Sequence, residues 1–342
     1  MSTVEPNGDP RPAIRKVTVI VKETYLDQVR KRMDQGRLQE IADRKRGLEL
    51  VQDSHQQHVN STATVISCLE RLGISCELVG LQDFKTLSPD TDMVVVLGGD
   101  GTFLGASHMV GSNIPVLGVN SAPLTSFGHF CITDAAGFEK VMQTILAGKL
   151  RPLHLLRIAL TVNGKPIAEQ VLNEVLVASS HPAATSRLDF EWGKRKLNHR
   201  GSGLIVAAPA GSTGFLRSEG GLVLPITARS YTYQVRAPFL RLHESHEDHR
   251  GVVPEGTALR IICLMERGKI YIDGEHIEYD FPRGAVLEVT SGAHLSAFVD
   301  PDCHRDYIIE QKCASLPVIG KLCAKALTST FLRALTGHSF HD

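Results

Sequence analysis

The chain has 342 residues, 42% hydrophobic and 22% charged, an ordinary globular balance with room for two domains of ~150 residues each. Lys+Arg and Asp+Glu both number 37, a formal net charge of zero, which argues against nucleic-acid binding through a basic surface and against an acidic tail as the main theme. No apolar run approaches the ~18 residues of a membrane helix, and the seven cysteines are scattered without a Cys-x-x-Cys pair. That excludes a disulfide framework or thiolate zinc site, so a reducing, cytoplasmic setting is expected.

Residues 1–15 are polar and read as a disordered lead, with no apolar core for a secretory leader. Lys16 to Val21 is short, apolar and β-branched, a buried first strand. Glu23 to about Asp53 carries mixed charge and reads as an exposed helical insertion with no assigned role. A helix is expected from about Ser54 to Leu72, stopped by Gly73, then a strand from Ser75 to Val79. Asp92 to Leu97 is the clearest strand, running directly into Gly98-Gly99-Asp100-Gly101-Thr102, with a helix from Phe103 to Val110. Pro115 to Asn120 reads as a further strand and Ala135 to Ala147 as a helix closed by Gly148. This alternation implies a parallel sheet covered by helices, an α/β domain over 16–150.

Over 151–300 the pattern changes to strand-like stretches at 155–162, 171–178, 186–192, 203–208, 257–264, 269–272 and 286–291. A mostly β, sandwich-like second domain is expected there. The tail, 301–342, returns to helical character, with a helix about 315–335 packing back. The fold expectation is therefore α/β plus mostly β.

The Gly98 to Thr102 turn is the first candidate site. Glycines at the end of a buried strand let backbone N–H groups approach a ligand, and the following helix offers its N-terminus to an anion. It is not the dinucleotide fingerprint, since Leu104 stands where a third glycine would be. An acid inside such a turn repels phosphate unless it takes a proton or holds a metal ion. The purely structural alternative is that Asp100 caps the helix.

The turn resembles the signature shared by NAD kinases, diacylglycerol and sphingosine kinases, and 6-phosphofructokinases. Two later segments choose among them: Asn173-Glu174 is similar to the Asn-Glu motif of NAD kinases, and Gly203 to Phe215 followed by Glu219-Gly220-Gly221 resembles their glycine-rich segment. With the Ile272-Asp273-Gly274 turn, the resemblance spans roughly residues 16–300. It implies transfer of the ATP γ-phosphate to the adenosine-ribose 2′-hydroxyl of NAD+ or NADH, with Mg²⁺ accompanying ATP and no dedicated protein metal site. Asp100 is implied as general base, Gly99, Gly101 and Thr102 as phosphate ligands, and Asn173, Glu174, Ser202, Ser212 and Thr213 as dinucleotide ligands, Ser212 and Thr213 doubling as a helix cap. A homodimer or homotetramer is implied too, with neither nucleic acid nor membrane as partner. The alternatives are a lipid kinase sharing the turn and a dinucleotide-binding regulator without catalysis.

Two departures matter. Ser202 stands where many members carry an acid near the nicotinamide, and Thr213-Gly214-Phe215 replaces Thr-Ala-Tyr. Asn120-Ser121, Gly128-His129 and Ser202-Gly203-Leu204 resemble the plant-type NADH kinase branch. Oxidised nicotinamide is a cation and the reduced ring is neutral, so loss of that carboxylate is expected to favour NADH at least as much as NAD+. Elsewhere, His243, His246 and His249 read as a solvated polar loop, Trp192 as β-domain packing, His129 as either cleft-lining or structural, and Arg195 to Arg200 as a basic hairpin edge or a pyrophosphate contact.

Overall fold

The computed structural model describes residues 14–31, 45–126, 128–239 and 249–314. They form two compact units that interleave along the chain. The first takes the residues up to Arg157 with Ala168–Leu172 and Gly292–Asp300; the second takes Ile158–Ile167, Asn173–Ser291 and the residues from Pro301.

The first unit is built on a sheet of β1 (Lys16–Val21), β2 (Ser75–Gly80), β3 (Met93–Gly98), β4 (Val116–Asn120), β5 (Cys131–Asp134), β6 (Leu153–Leu155) and β19 (Leu295–Phe298). Its order is β2-β1-β3-β4-β19-β6, with β5 also on β4, and only the β19–β6 pair is antiparallel. All six residues of β3 are buried, which explains its unbroken apolar run: a central parallel strand faces helices on both sides. Its helices are α1 (Tyr25–Lys31), α2 (Lys45–Arg71), α3 (Asp100–Ser107) and α4 (Phe138–Leu146). Val65 and Leu69 of α2 and Phe138 and Met142 of α4 join Val17, Val19, Val95 and Leu97 in one core, each such side chain contributing about 1.5–3 kcal/mol. At the end of α2 the Ile74 N–H donates to Leu69 O and Gly73 N–H to Glu70 O. Gly73 has φ +71°, the left-handed step that closes a helix this way.

The expected strand 155–162 is interrupted. Leu156 and Arg157 separate β6 from β7 (Ile158–Val162), and the buried Arg157 guanidinium donates to the carbonyls of Ser107, Val110, Ala293 and His294 at 2.8–3.3 Å.

The second unit holds two antiparallel six-stranded sheets. One contains β7, β8 (Lys165–Pro166), β10 (Ser186–Trp192), β11 (Arg195–Gly201), β15 (Leu259–Cys263) and β18 (Val286–Ser291). The other contains β9 (Glu174–Ser179), β12 (Gly203–Ala207), β13 (Tyr231–Arg236), β14 (Arg250–Val253), β16 (Gly268–Ile272) and β17 (Ile277–Phe281). The sheets meet through aromatic rings: Tyr233 lies edge-on to Phe190 and Trp192, and the buried Tyr231 hydroxyl accepts the Leu259 N–H and lies 2.9 Å from Val289 O. Trp192 thus packs in the β unit as expected.

The histidine reading changes. His249 is buried, its ring 4.8 Å from that of His199, which stacks on Phe190; it belongs to the inter-sheet packing and not to a solvated loop. His243 and His246 lie outside the described residues, as do the expected 315–335 helix and 32–44 of the charged insertion. The short α5 (Phe215–Ser218) and α6 (Arg305–Ala314) complete the second unit, tied by Arg217 to Glu310 at 2.8 Å and by the Val223 N–H to Gln311. Among the described residues no helix is long and apolar enough to cross a membrane, and none of the described cysteines forms a disulfide.

Candidate active site

In the first unit β3 delivers the chain into the glycine turn. A side chain at Gly98 would collide with Thr102, and a Cβ on Gly99 would lie 2.6 Å from Ser126 Oγ, whereas one on Gly101 would meet nothing within 4 Å. The turn is closed on its protein side and open at Gly101. Thr102 is buried and its N–H donates to Gly99 O at 3.1 Å, so it closes the turn. The N–H groups of Gly99, Asp100 and Gly101 donate to nothing among the described residues, leaving a cluster of donors suited to phosphate oxygens.

Asp100 does not cap the helix. The N-cap is Gly99, with no side-chain cap bond, and Asp100 Oδ1 instead accepts the Phe130 N–H at 2.9 Å. Phe130 is held by its ring, stacked 5.0 Å from the fully buried Phe103 of α3. The carboxylate is thereby fixed through one oxygen while Oδ2 has no partner among the described residues. Its charge is felt nearby. Burial pushes the Cys131 thiol up to about 12, with Asp100 adding to the rise, and burial lowers His129 below the usual imidazole range against the pull of Asp100. His129 is half-buried, its ring edge-on to Phe130. Asn120 braces the adjoining loop, donating to Ser126 O and accepting from the Ala122 N–H.

The second unit carries the other cluster. Asn173 and Glu174 enter β9, and both of their N–H groups donate to Asp273 Oδ1, at 2.8 and 2.9 Å. Asp273 has φ +47°, a conformation that aspartate tolerates better than most residues. Glu174 is buried, and Oε2 has no hydrogen-bond partner. Burial first, and Asp273 second, push its carboxyl up to about 7. The segment Gly211 to Gly214 lies directly over this pair: a Cβ on Gly211 would strike the Asn173 carbonyl, and one on Gly214 would lie 3.8 Å from Asn173 Nδ2 and 4.0 Å from Glu174 Oε2.

Ser212 is fully buried, donating to Pro209 O at 2.7 Å and accepting the Leu224 N–H at 3.0 Å. Neither Ser212 nor Thr213 caps α5, whose N-cap is Gly214 without a side-chain bond. Thr213 is half-buried in the same turn. Ser202 sits where the chain passes from β11 in one sheet to β12 in the other, its N–H on Arg236 O at 2.8 Å. The Arg236 guanidinium pairs with Glu219 at 3.0 Å and lies over the Phe215 ring. Of the basic stretch, Lys196 pairs with Glu191 and Arg195 lies over Trp192. Asp273 was legible only as part of an Ile-Asp-Gly turn; the clue to its anchoring role is an aspartate followed by glycine at a hairpin.

Residues 19–150 match the family described as ATP-NAD kinase N-terminal domain. A probable NADH kinase of Oryza sativa subsp. japonica is 34% identical over 278 residues, covering 75% of this chain and 85% of that protein. An NADH kinase of Arabidopsis thaliana is 29% identical over 268 residues, 72% of this chain and 84% of that protein. Among solved structures, a yeast NADH kinase complexed with NADH aligns at TM-score 0.65 and 16% identity over 87% of this chain and 88% of its own. An NAD kinase from Archaeoglobus fulgidus in complex with ATP aligns at TM-score 0.60 and 21% identity over 86% of this chain and 98% of its own.

Proposed function

The chain belongs to the NAD kinase family and is an NAD(H) phosphotransferase, and we propose that Asp100 is its general base. The carrying observation is that carboxylate, held at Oδ1 by the Phe130 N–H and free at Oδ2, inside a turn of unshared backbone donors. Asp100 Oδ2 takes the proton of the ribose 2′-hydroxyl, the oxygen attacks the γ-phosphorus of ATP, and ADP leaves. The N–H groups of Gly99 and Gly101 receive the phosphate oxygens, and Thr102 keeps the turn in shape.

Asn173 and Glu174 grip the dinucleotide: an amide that donates and accepts, and a carboxylate oxygen left without a partner for ribose hydroxyls to fill. Thr213 and the backbone around Ser212 complete this contact, and Ser202 faces the nicotinamide end. The absence of an acid at 202 supports use of NADH at least as readily as NAD+. Mg²⁺ would be carried on the donor phosphates, an ion of this kind usually being held largely by phosphate oxygens and water, and would offset the negative charge of the transferring group, while Asp100 Oδ2 is kept for the proton. Described cysteines without disulfides support a cytoplasmic setting, and the family resemblance supports a homodimer or homotetramer.

A coupled assay with ATP and Mg²⁺ against NAD+ and NADH in parallel tests the reading. NADP+ or NADPH should form. Consumption of ATP on a lipid acceptor, with neither product, would point to the lipid-kinase alternative.

A further inference from the structure

In the second unit, the segment that follows the Gly211 to Gly214 turn is held from outside by α6. Its only helix is α5, a single turn, far too short to persist without tertiary support. His304, Tyr307, Ile308 and Gln311 fall on one stripe, at the spacing of a helix face, and three of them reach that segment. Gln311 Oε1 accepts the Val223 N–H at 2.8 Å, His304 Nδ1 lies 2.7 Å from the Leu224 carbonyl, and the Arg217 guanidinium lies 4.8 Å from the centre of the Tyr307 ring. A carbonyl only accepts, so His304 Nδ1 carries the proton and donates it. The imidazole is 1% exposed. The Arg217–Glu310 pair at the rim is largely exposed and contributes little, which leaves the holding to the two inner bonds.

Leu224 passes the restraint on. While its carbonyl takes His304, its N–H donates to Ser212 Oγ at 3.0 Å, and Ser212 in turn donates to Pro209 O at 2.7 Å. The turn fixed in this way rests on the Asn173-Glu174 pair. The Ala208 N–H donates to Asn173 O at 2.9 Å, Gly211 has no room for a Cβ above that carbonyl, and Gly214 stands beside Asn173 Nδ2 and Glu174 Oε2. A short series of hydrogen bonds therefore joins the face of α6 to the cover of the pair.

We propose that His304 and Gln311 are positioning residues for dinucleotide binding: docked on residues 223–224, α6 holds the Gly211 to Gly214 turn down on Asn173 and Glu174. The assignment rests on the reading of that pair as the dinucleotide grip and adds the device that sets its affinity. Coupling of this kind is reciprocal, so a bound dinucleotide must favour the docked α6 by the same factor.

The test uses the full chain and its variants Gln311→Leu, Gln311→Glu, His304→Phe and His304→Asn, each first checked for folding by thermal melting. NADH is titrated by its own fluorescence. Gln311→Leu and His304→Phe should bind NADH about fivefold more weakly, the worth of one lost hydrogen bond. Their KM for NADH should rise in step, with kcat and KM for ATP unchanged. Gln311→Glu keeps an acceptor and His304→Asn keeps a donor, so both should recover most of the loss. Gln311 is half-buried, and its two variants carry the test if those at His304 do not fold. In the parent, NADH should also slow amide hydrogen exchange across residues 305–312, an effect that Gln311→Leu should lose.

Parent-like NADH affinity in the folded Leu and Phe variants would overturn the proposal, as would equal damage from the Leu and Glu variants. Exchange across 305–312 that ignores NADH would overturn it too. The kinase reading survives each of these results if the parent still makes NADPH. A parent that binds NADH in the α6-dependent manner but makes no NADPH would support the positioning role and sink the kinase reading; one that binds no NADH would sink both.

Discussion

Glu174 and Asp273 are bonded to each other twice: the Glu174 N–H donates to Asp273 Oδ1, and the Asp273 N–H donates to the Glu174 carbonyl, both at 2.9 Å. The same Oδ1 also accepts the Asn173 N–H. Asp273→Ala strands two backbone donors, and each buried donor left unsatisfied costs about 1–3 kcal/mol. The variant should melt lower and show a raised KM for the dinucleotide. Asp273→Asn keeps an acceptor and tolerates the left-handed backbone, so it should restore most of both. Equal damage from Ala and Asn would show that charge, not geometry, is what Asp273 supplies.

Glu174 makes stability depend on pH. Its carboxyl titrates at about 7 when folded against an ordinary value of 4.5, so between these the folded state holds a proton the unfolded chain has lost. The stabilisation is full below about 4.5, falls as pH rises to about 7 and is then level, a loss on the order of 3 kcal/mol. Glu174→Gln should be flat across that window and more stable than the parent at pH 8, as read by urea unfolding at pH 5 and pH 8. A variant that tracks the parent at both pH values would remove Glu174 as the cause.

Asp100→Asn retains an oxygen for the Phe130 N–H, so the turn should keep its shape. Without a base, kcat should fall by about 10²–10⁴, while NADH binding followed by its fluorescence stays within twofold. Unchanged turnover would take Asp100 out of the proton transfer.

On the proposed placement of Ser202 at the nicotinamide end, Ser202→Asp would supply a carboxylate there. Attraction for the cationic ring at a part-exposed site is worth about 1 kcal/mol, so kcat/KM for NAD+ relative to NADH should rise about fivefold. A large NAD+ preference in the parent enzyme would already defeat the argument.

Arg157→Met leaves the carbonyls of Ser107, Val110, Ala293 and His294 without their donor. Ser107 is the last residue of the helix that begins at Asp100, and Val110 follows three residues on. The expected cost is about 3 kcal/mol, seen as a lower denaturation midpoint. A shift within experimental error would mean water replaces the guanidinium.

The parts of the site that announce themselves in the sequence are those whose cause is local. A buried parallel strand needs an unbroken apolar run, and a turn that must admit a phosphate needs glycines, so Met93 to Thr102 is legible at once. Asn173-Glu174 is legible as a pair, but its anchor lies 99 residues beyond Glu174, a distance at which spacing carries no signal. His249 looks polar in its surroundings because burial there is decided by sheet packing against His199. Edge strand β11 shows no alternation, and its Arg195 and Lys196 are satisfied by neighbours brought in by the hairpin. Ser212 looks like a ligand-binding hydroxyl, yet folding gives it the Leu224 N–H.

Strand β19 lies between β4 and β6 in the first sheet, which imposes a timetable on synthesis. At ~5–20 residues per second the ribosome makes roughly 140 further residues after β6 before this strand exists. The sheet that leads into Asp100 therefore stays unfinished, with one edge of β4 only partly covered, until every strand of the second unit's two sheets has been made. A protein truncated near residue 290 should consequently lose the glycine turn's support together with β19, although every residue of the turn is present.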